Sequence, residues 1–219
     1  MPADRIHLVR HGEVHNPGGV LYGRLPGFRL SDLGRRMARA AAESSSAAPV
    51  VRVVASPLQR TRESAAPWGE LFRLDVETDA RLLEPWNAFE GSRVRREIRR
   101  PRNWRLLARP WVPGWGEAYA SIAERMLDAM AAAAGGVDGG DVVLVSHQLP
   151  IWIVHRAVAR QPFPHDPRRR RCALSSITTF EPRAAPAGRG RSRWRSWTET
   201  DYREPARELL SAAVDLGAV

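Results

Sequence analysis

The chain has 219 residues, 43% of them hydrophobic, which is enough for a single domain with a full core. Its formal charge of +10 comes wholly from arginine, since no lysine occurs; a charge of this kind bears on solubility and anion binding and leaves the chemistry open. A single cysteine, Cys172, excludes an internal disulfide and a cysteine-rich metal site, and no apolar run reaches the length of a signal core or membrane span, so a soluble cytoplasmic protein without a membrane partner is expected.

Ile6-His7-Leu8-Val9 is a short apolar run that stops at Arg10-His11-Gly12, the pattern of a buried strand ending in a loop. Residues 15 to 30 are too rich in glycine and proline for the interior of an element and form a shaped loop. Ser31 then caps a helix expected to run to about Ser44. Val50-Val51-Arg52-Val53-Val54 is a second buried strand ending at Ala55-Ser56-Pro57, followed by a helix to about Phe72. A short strand near Leu74 to Glu77 leads to Leu82-Leu83-Glu84. The segment 85–115, rich in Arg, Trp and Pro and helical only over Ser92 to Arg99, reads as an inserted lid within one domain spanning 1–219.

Glu117 to Ala134 has the residues of a long helix, closed by Gly135-Gly136, with Glu117 placed to favour the helix dipole. Asp141 to Ser146 is a third buried strand; it ends at His147, and a helix from about Pro150 to Arg160 follows. Ser175 to Glu181 and Arg193 to Thr200 alternate as two strands of a terminal hairpin, whose tryptophans Trp194 and Trp197 look exposed and able to pair subunits in a homodimer. Strands alternating with helices predict an α/β fold: one domain, a mostly parallel sheet with helices on both faces, and an antiparallel hairpin at one edge.

Three of these parallel strands end in polar residues: Arg10-His11, then Ser56 with Arg60, then His147. Ligands bind at the carboxyl ends of strands in open α/β sheets. Two histidines and two arginines at one rim make a pocket for a dianion, as phosphoryl transfer needs, because its charge spreads over three oxygens and catalysis is mainly positioning and electrostatic stabilisation.

Leu8-Val9-Arg10-His11-Gly12-Glu13 resembles the signature of the histidine phosphatase superfamily, which also holds the cofactor-dependent phosphoglycerate mutases. Ser56-Pro57-Leu58-Gln59-Arg60-Thr61 is similar to its second arginine motif, Leu82-Leu83-Glu84 to its acid motif, and Val145-Ser146-His147 to its second histidine motif. The four stand in the family's order. The resemblance implies a phosphoglycerate mutase-like fold, His11 as the nucleophile that becomes a phosphohistidine, and Arg10, Arg60 and His147 as the grip on the phosphoryl oxygens. It implies Glu84 as proton donor to the leaving alkoxide and then as base for water, with no metal and no cofactor.

Departures from the pattern occur. The family's asparagine position falls on Pro17, with Asn16 one residue before it as a candidate phosphate contact, and Gln148 stands where the family commonly has glycine. Gly23 and Arg24 resemble positions that lean over the site. A phosphomonoesterase for a small phosphorylated metabolite is the leading expectation; a phosphoglycerate mutase is the alternative, disfavoured because 85–115 does not match the mutase insertion. A non-catalytic phosphate-binding module and an arginine-rich nucleic-acid binder are the remaining alternatives. The basic run from Arg93 to Arg109, interleaved with Trp104 and Trp111, reads as a solvated face, and without a recognisable binding module nucleic acid is not an expected partner. Neutral His11 and protonated Glu84 place the optimum between reference values of about 4.3 and 6.5.

Overall fold

A computed structural model of the chain describes residues 2–93, 96, 97, 99–104, 116–183 and 197–215. Six strands form one sheet: β1 (Arg5–Arg10), β2 (Val50–Ala55), β3 (Val76–Thr78), β4 (Asp141–Ser146), β5 (Ile177–Pro182) and β6 (Trp197–Arg203). Their order is β3-β2-β4-β1-β5-β6; β3, β2, β4 and β1 run parallel, and β5 and β6 join antiparallel. The central strands are almost fully buried because helices cover both faces, which is why their sequences read as continuous apolar runs. His7 is the polar exception inside β1, and it is satisfied sideways: its ring bonds Thr179 Oγ1 at 3.0 Å and Asp141 Oδ2 at 3.1 Å, tying three adjacent strands together.

Helices α1 (Asp32–Glu43) and α2 (Gln59–Phe72) pack Ala41, Ala42, Ala65 and Trp68 against one face of the sheet. Helices α3 (Tyr119–Gly135) and α4 (Gln148–Val158) pack Ile122, Met126, Ile151 and Ile153 against the other. Ser31 caps α1 as expected, its Oγ accepting from Gly34 N at 2.9 Å. Several bounds differ from those read in the sequence. β3 lies two residues later, and α4 opens at Gln148, which puts Pro150 in the first turn, where its missing N–H costs no helical bond. Glu117 lies just before the N-cap of α3, which opens at Tyr119, and pairs with Arg125 at 2.8 Å.

Trp197 is 4% exposed and belongs to the core, which removes it as a docking residue; its ring faces inward because β6 alternates. Trp194 and Trp111 lie outside the described residues, as do 94, 95, 98 and 105–115 of the expected lid. The described start of that segment is anchored to the glycine-rich loop by Leu21 N to Ser92 O (2.9 Å) and Gly91 N to Leu21 O (2.8 Å). Among the described residues no helix is long and apolar enough to cross a membrane.

Candidate active site

Pairing of β1 and β2 with the strand between them, β4, sets Arg10 beside Ser146 and Ala55 beside Val145, so the next residue along each strand, His11, His147 and Ser56, arrives at one rim. The ladder continues into that rim through His11 N to Ser146 O at 3.1 Å and Ser56 N to Val145 O at 2.9 Å. Beyond His11 the chain passes so close to the start of α1 that a Cβ on Gly12 would stand 2.3 Å from Gly34 O, and one on Gly34 would stand 2.0 Å from Glu13 O. Only glycine fits at both. Gly12 N also donates to Ser64 Oγ (3.1 Å), and that hydroxyl donates to Arg60 O (2.8 Å), which fixes the nucleophile loop against the helix that carries Arg60.

His11 is fully buried. Its Nδ1 lies 2.7 Å from the Gly12 carbonyl, an acceptor, so Nδ1 carries the proton and Nε2 presents its lone pair. Burial, then the charges of Arg60 and Arg10, hold the imidazole pKa well below its ordinary value, against a weaker upward pull from Gly12. His147 is also buried, 5.3 Å from His11 between ring centroids, and its pKa is driven down by burial and by Arg60. Its Nδ1 accepts from Arg60 Nη2 at 3.1 Å, leaving Nε2–H to donate to Ser56 Oγ at 2.9 Å. Both histidines are therefore neutral near pH 7, one aimed by a backbone carbonyl and the other by a serine.

Glu84 Oε2 lies 3.5 Å from His147 Nδ1. Burial pushes the Glu84 carboxyl up to about 7, against the pull of Arg60, Arg170, Arg10 and Arg125. Ser146 Oγ holds the approach to it by donating to Leu82 O at 2.8 Å. Arg10 donates from Nη1 to Cys172 O (2.7 Å) and from Nη2 to Asp215 Oδ1 (2.6 Å). Burial opposes the Arg10 charge, and Asp215 and Cys172 more than offset it, so its pKa is raised. Arg60 Nη2 also donates to Gly23 O at 2.8 Å, and its guanidinium lies 4.7 Å from the centre of the Tyr22 ring. Burial pushes the Tyr22 phenol up to about 12, so it is an O–H at any working pH.

Four buried polar atoms of this cluster have no hydrogen-bond partner among the described residues: His11 Nε2, Arg10 Nε, Arg60 Nε and Glu84 Oε1. The two cationic donors suit the oxygens of an oxyanion, the His11 lone pair suits its electrophilic centre, and the Glu84 carboxyl can supply a proton. His11, Glu84 and His147, expected as catalytic groups and not as metal ligands, also bring potential ligand atoms within 4.8 Å of one another. Two buried guanidiniums beside those atoms disfavour a further cation there, and the set fits an anion better.

A family model described as the histidine phosphatase superfamily (branch 1) matches residues 6–190. The chain belongs to the histidine phosphatase superfamily. It is 49% identical over 184 residues to an uncharacterised Mycobacterium tuberculosis protein, Rv0525, covering 82% of this chain and 91% of that one. It is 31% identical over 210 residues to the glucosyl-3-phosphoglycerate phosphatase of the same species, covering 89% of this chain and 93% of that enzyme. The solved structure of the mycobacterial glucosyl-3-phosphoglycerate phosphatase Rv2419c superposes with a TM-score of 0.69 at 28% identity, covering 90% of this chain and 96% of that one. These relatives establish this histidine phosphatase as a phosphatase with the phosphoglycerate mutase-like fold expected of it.

Within this histidine phosphatase the five expected core residues, Arg10, His11, Arg60, Glu84 and His147, lie together. The second tier falls differently. Asn16 closes its own loop, bonding Val20 O at 2.9 Å and Val20 N at 3.3 Å. Gly23 contributes its carbonyl to Arg60 and sits at φ +39, where a Cβ would meet the Glu90 side chain. Arg24 donates to Glu84 O (2.5 Å) and pairs with Glu117 (3.5 Å). Gln148 accepts from Arg170 Nη1 at 3.2 Å. Ser64, Tyr22, Arg170 and Asp215 are site residues absent from the sequence reading. Ser56-Pro57 at a strand end was a usable sign for Ser56, whereas Arg170 sits in a run of four arginines that reads as solvated surface.

Proposed function

We propose that the chain hydrolyses phosphomonoesters of small metabolites through a phosphohistidine on His11. The carrying observation is the convergence of the unpartnered His11 Nε2 with Arg10 Nε, Arg60 Nε and Glu84 Oε1 in a buried, arginine-flanked cluster. Neutral His11 attacks phosphorus with its Nε2 lone pair; the new N–P bond forms as the ester P–O bond breaks. Glu84, protonated, gives its proton to the leaving alkoxide. In the second half, carboxylate Glu84 takes a proton from water as that water attacks phosphorus, releasing inorganic phosphate and restoring His11. Arg10, Arg60 and His147 offset charge on the equatorial oxygens.

His11 is wholly buried, with the Tyr22 ring 6.4 Å away between centroids. The segment 85–115 serves as the lid, a role supported by the bonds that anchor Leu21 to Gly91 and Ser92. Phosphoglycerate-type esters are the first substrates to try, because a relative is a phosphatase of a glucosylated 3-phosphoglycerate. A cytoplasmic setting accords with the lone, buried Cys172. The five core residues, Arg10, His11, Arg60, Glu84 and His147, all come from one chain.

The test is phosphate release from p-nitrophenyl phosphate and from 3-phosphoglycerate in EDTA, with acid-labile phosphorylation of His11 followed by mass spectrometry after rapid quenching. Turnover that survives EDTA, disappears in His11→Ala and leaves a trapped phosphoryl group on His11 is expected. Undiminished turnover by His11→Ala would overturn the assignment.

A further inference from the structure

The Glu84 carboxyl is aimed chiefly by its backbone. Its Oε2 stands 3.5 Å from His147 Nδ1, and its Oε1 has no hydrogen-bond partner among the described residues. The segment 81–84 that carries it is gripped through its carbonyls. Arg125 Nη1 donates to Arg81 O, Ser146 Oγ donates to Leu82 O at 2.8 Å, and Arg24 Nε donates to Glu84 O at 2.5 Å. Two of these three donors are arginines, one from the glycine-rich loop and one from α3.

Glu117 joins the two arginines. Its Oε2 lies 3.5 Å from Arg24 Nη2, and its two oxygens accept from Arg125, Oε1 from Nε at 2.8 Å and Oε2 from Nη2 at 3.0 Å. Both arginines therefore meet at Oε2, and without the carboxylate their charges would repel across its place. The chain before Glu117 sets its position: Gly116 forms a bridge with Asn87, and a Cβ on Gly116 would stand 3.0 Å from Trp86 O, so this stretch runs alongside the residues that follow Glu84. The Glu117 and Arg125 side chains are only 15% and 17% exposed, and their two-pronged contact sets them apart from surface ion pairs of little worth.

We propose that Glu117 is a positioning residue for the reaction: by pairing with Arg24 and Arg125 at once, it locks segment 81–84 and so fixes where the Glu84 carboxyl stands. The inference deepens the phosphatase reading and rests on its assignment of Glu84 as proton donor. Glu117 touches no reacting atom; it acts through two arginines and the backbone they hold. A proton donor displaced by about an ångström loses much of its effect, which is why a clamp at this distance from the chemistry matters. The charged and titratable groups around Glu84 itself are His147, Arg60, Arg170, Arg10 and Arg125, and Arg125 is the one that Glu117 also holds.

The experiment compares kcat/KM of wild type and Glu117→Gln for glycerol 3-phosphate and p-nitrophenyl phosphate as a function of pH. An alkoxide needs a proton from Glu84 in order to leave, whereas p-nitrophenolate leaves without one, and kcat/KM covers the steps up to that departure. A fall of about tenfold to a hundredfold for glycerol 3-phosphate is expected, with less than about threefold for p-nitrophenyl phosphate. The alkaline limb for glycerol 3-phosphate should move to lower pH, because a loosened segment admits water and leaves Arg125 unbalanced, and both favour the carboxylate. Glu117→Asp keeps the charge with a shorter reach and should show the same split at smaller amplitude, so the test stands even where the Gln variant unfolds. Equal losses for the two esters, no loss for either, or an unmoved alkaline limb would overturn the positioning role. Failure of the phosphatase reading shows separately, as wild-type turnover that is absent or that survives in His11→Ala. Carbon-13 NMR titration of the Glu84 carboxyl, assigned by its absence from Glu84→Gln, then decides the role of Glu117: a midpoint lowered in Glu117→Gln supports the clamp, and an unchanged one overturns it.

Discussion

Replacing Glu84 by Gln should nearly abolish hydrolysis of alkyl phosphates and, at alkaline pH, make the protein more stable. Glu84 is 2% exposed, and burial raises its carboxyl from 4.5 to about 7. A folded-state value above the unfolded one means that folding favours the protonated form. The stability it brings is complete below about 4.5, declines as pH rises, and is gone above about 7. The interval corresponds to about 3 kcal/mol. Gln cannot ionise and escapes that cost. Urea unfolding at pH 5, 6.5 and 8 should therefore show wild type and Glu84→Gln nearly equal at the lowest pH, with the variant ahead by up to about 3 kcal/mol at the highest. In the same preparation kcat for glycerol 3-phosphate should fall by about 10²- to 10⁴-fold, the usual contribution of a positioned acid. A stability difference that stays constant with pH, or a variant that keeps its turnover, would refute the reasoning.

The wild-type kcat/KM profile should lose about tenfold per pH unit above about 7 as Glu84 ionises, and should hold well below pH 6.5 because His11 stays neutral there; a fall beginning at pH 6.5 on the acid side would contradict the depressed His11 value. Ser56→Ala removes the acceptor 2.9 Å from His147 Nε2, and a loss of about 1–3 kcal/mol in unfolding free energy with a lower kcat is expected from denaturation and steady-state kinetics. Gly12→Ala drives a Cβ to 2.3 Å from a backbone oxygen; thermal melting should show a fall of several degrees or more, and turnover should collapse with it. Asp215→Asn removes a negative charge held 2.6 Å from Arg10, so competitive inhibition by inorganic phosphate should tighten by about fivefold.

Much of the site was legible in the sequence because it is built on strand ends. Apolar runs mark the parallel strands, and the polar residue that terminates each run sits on the carboxyl rim by topology alone, which is how His11, Ser56 and His147 announce themselves. Glu84 was readable only through its resemblance to an acid motif, since nothing in its neighbours shows the burial that raises its pKa. The second tier failed where side-chain direction matters: Arg24 and Asn16 sit in a loop with many possible turns, and their partners, Glu84 O and Val20, follow from the path of the backbone and not from spacing. Trp197 misled for the opposite reason, because composition near a hairpin tip suggested exposure while strand alternation turned the ring inward.

Arg170 and Asp215 show where reading along the chain stops. Each arrives from a segment far from the motifs, and each matters through proximity to Arg10 or Glu84 created only by folding. Asp215 holds Arg10 at 2.6 Å, and the charge of Arg170 opposes the burial that raises the Glu84 carboxyl. Residues remote in sequence thus tune the charges of the strand-end cluster without belonging to any of its motifs, which is why no reading of the motifs alone could find them.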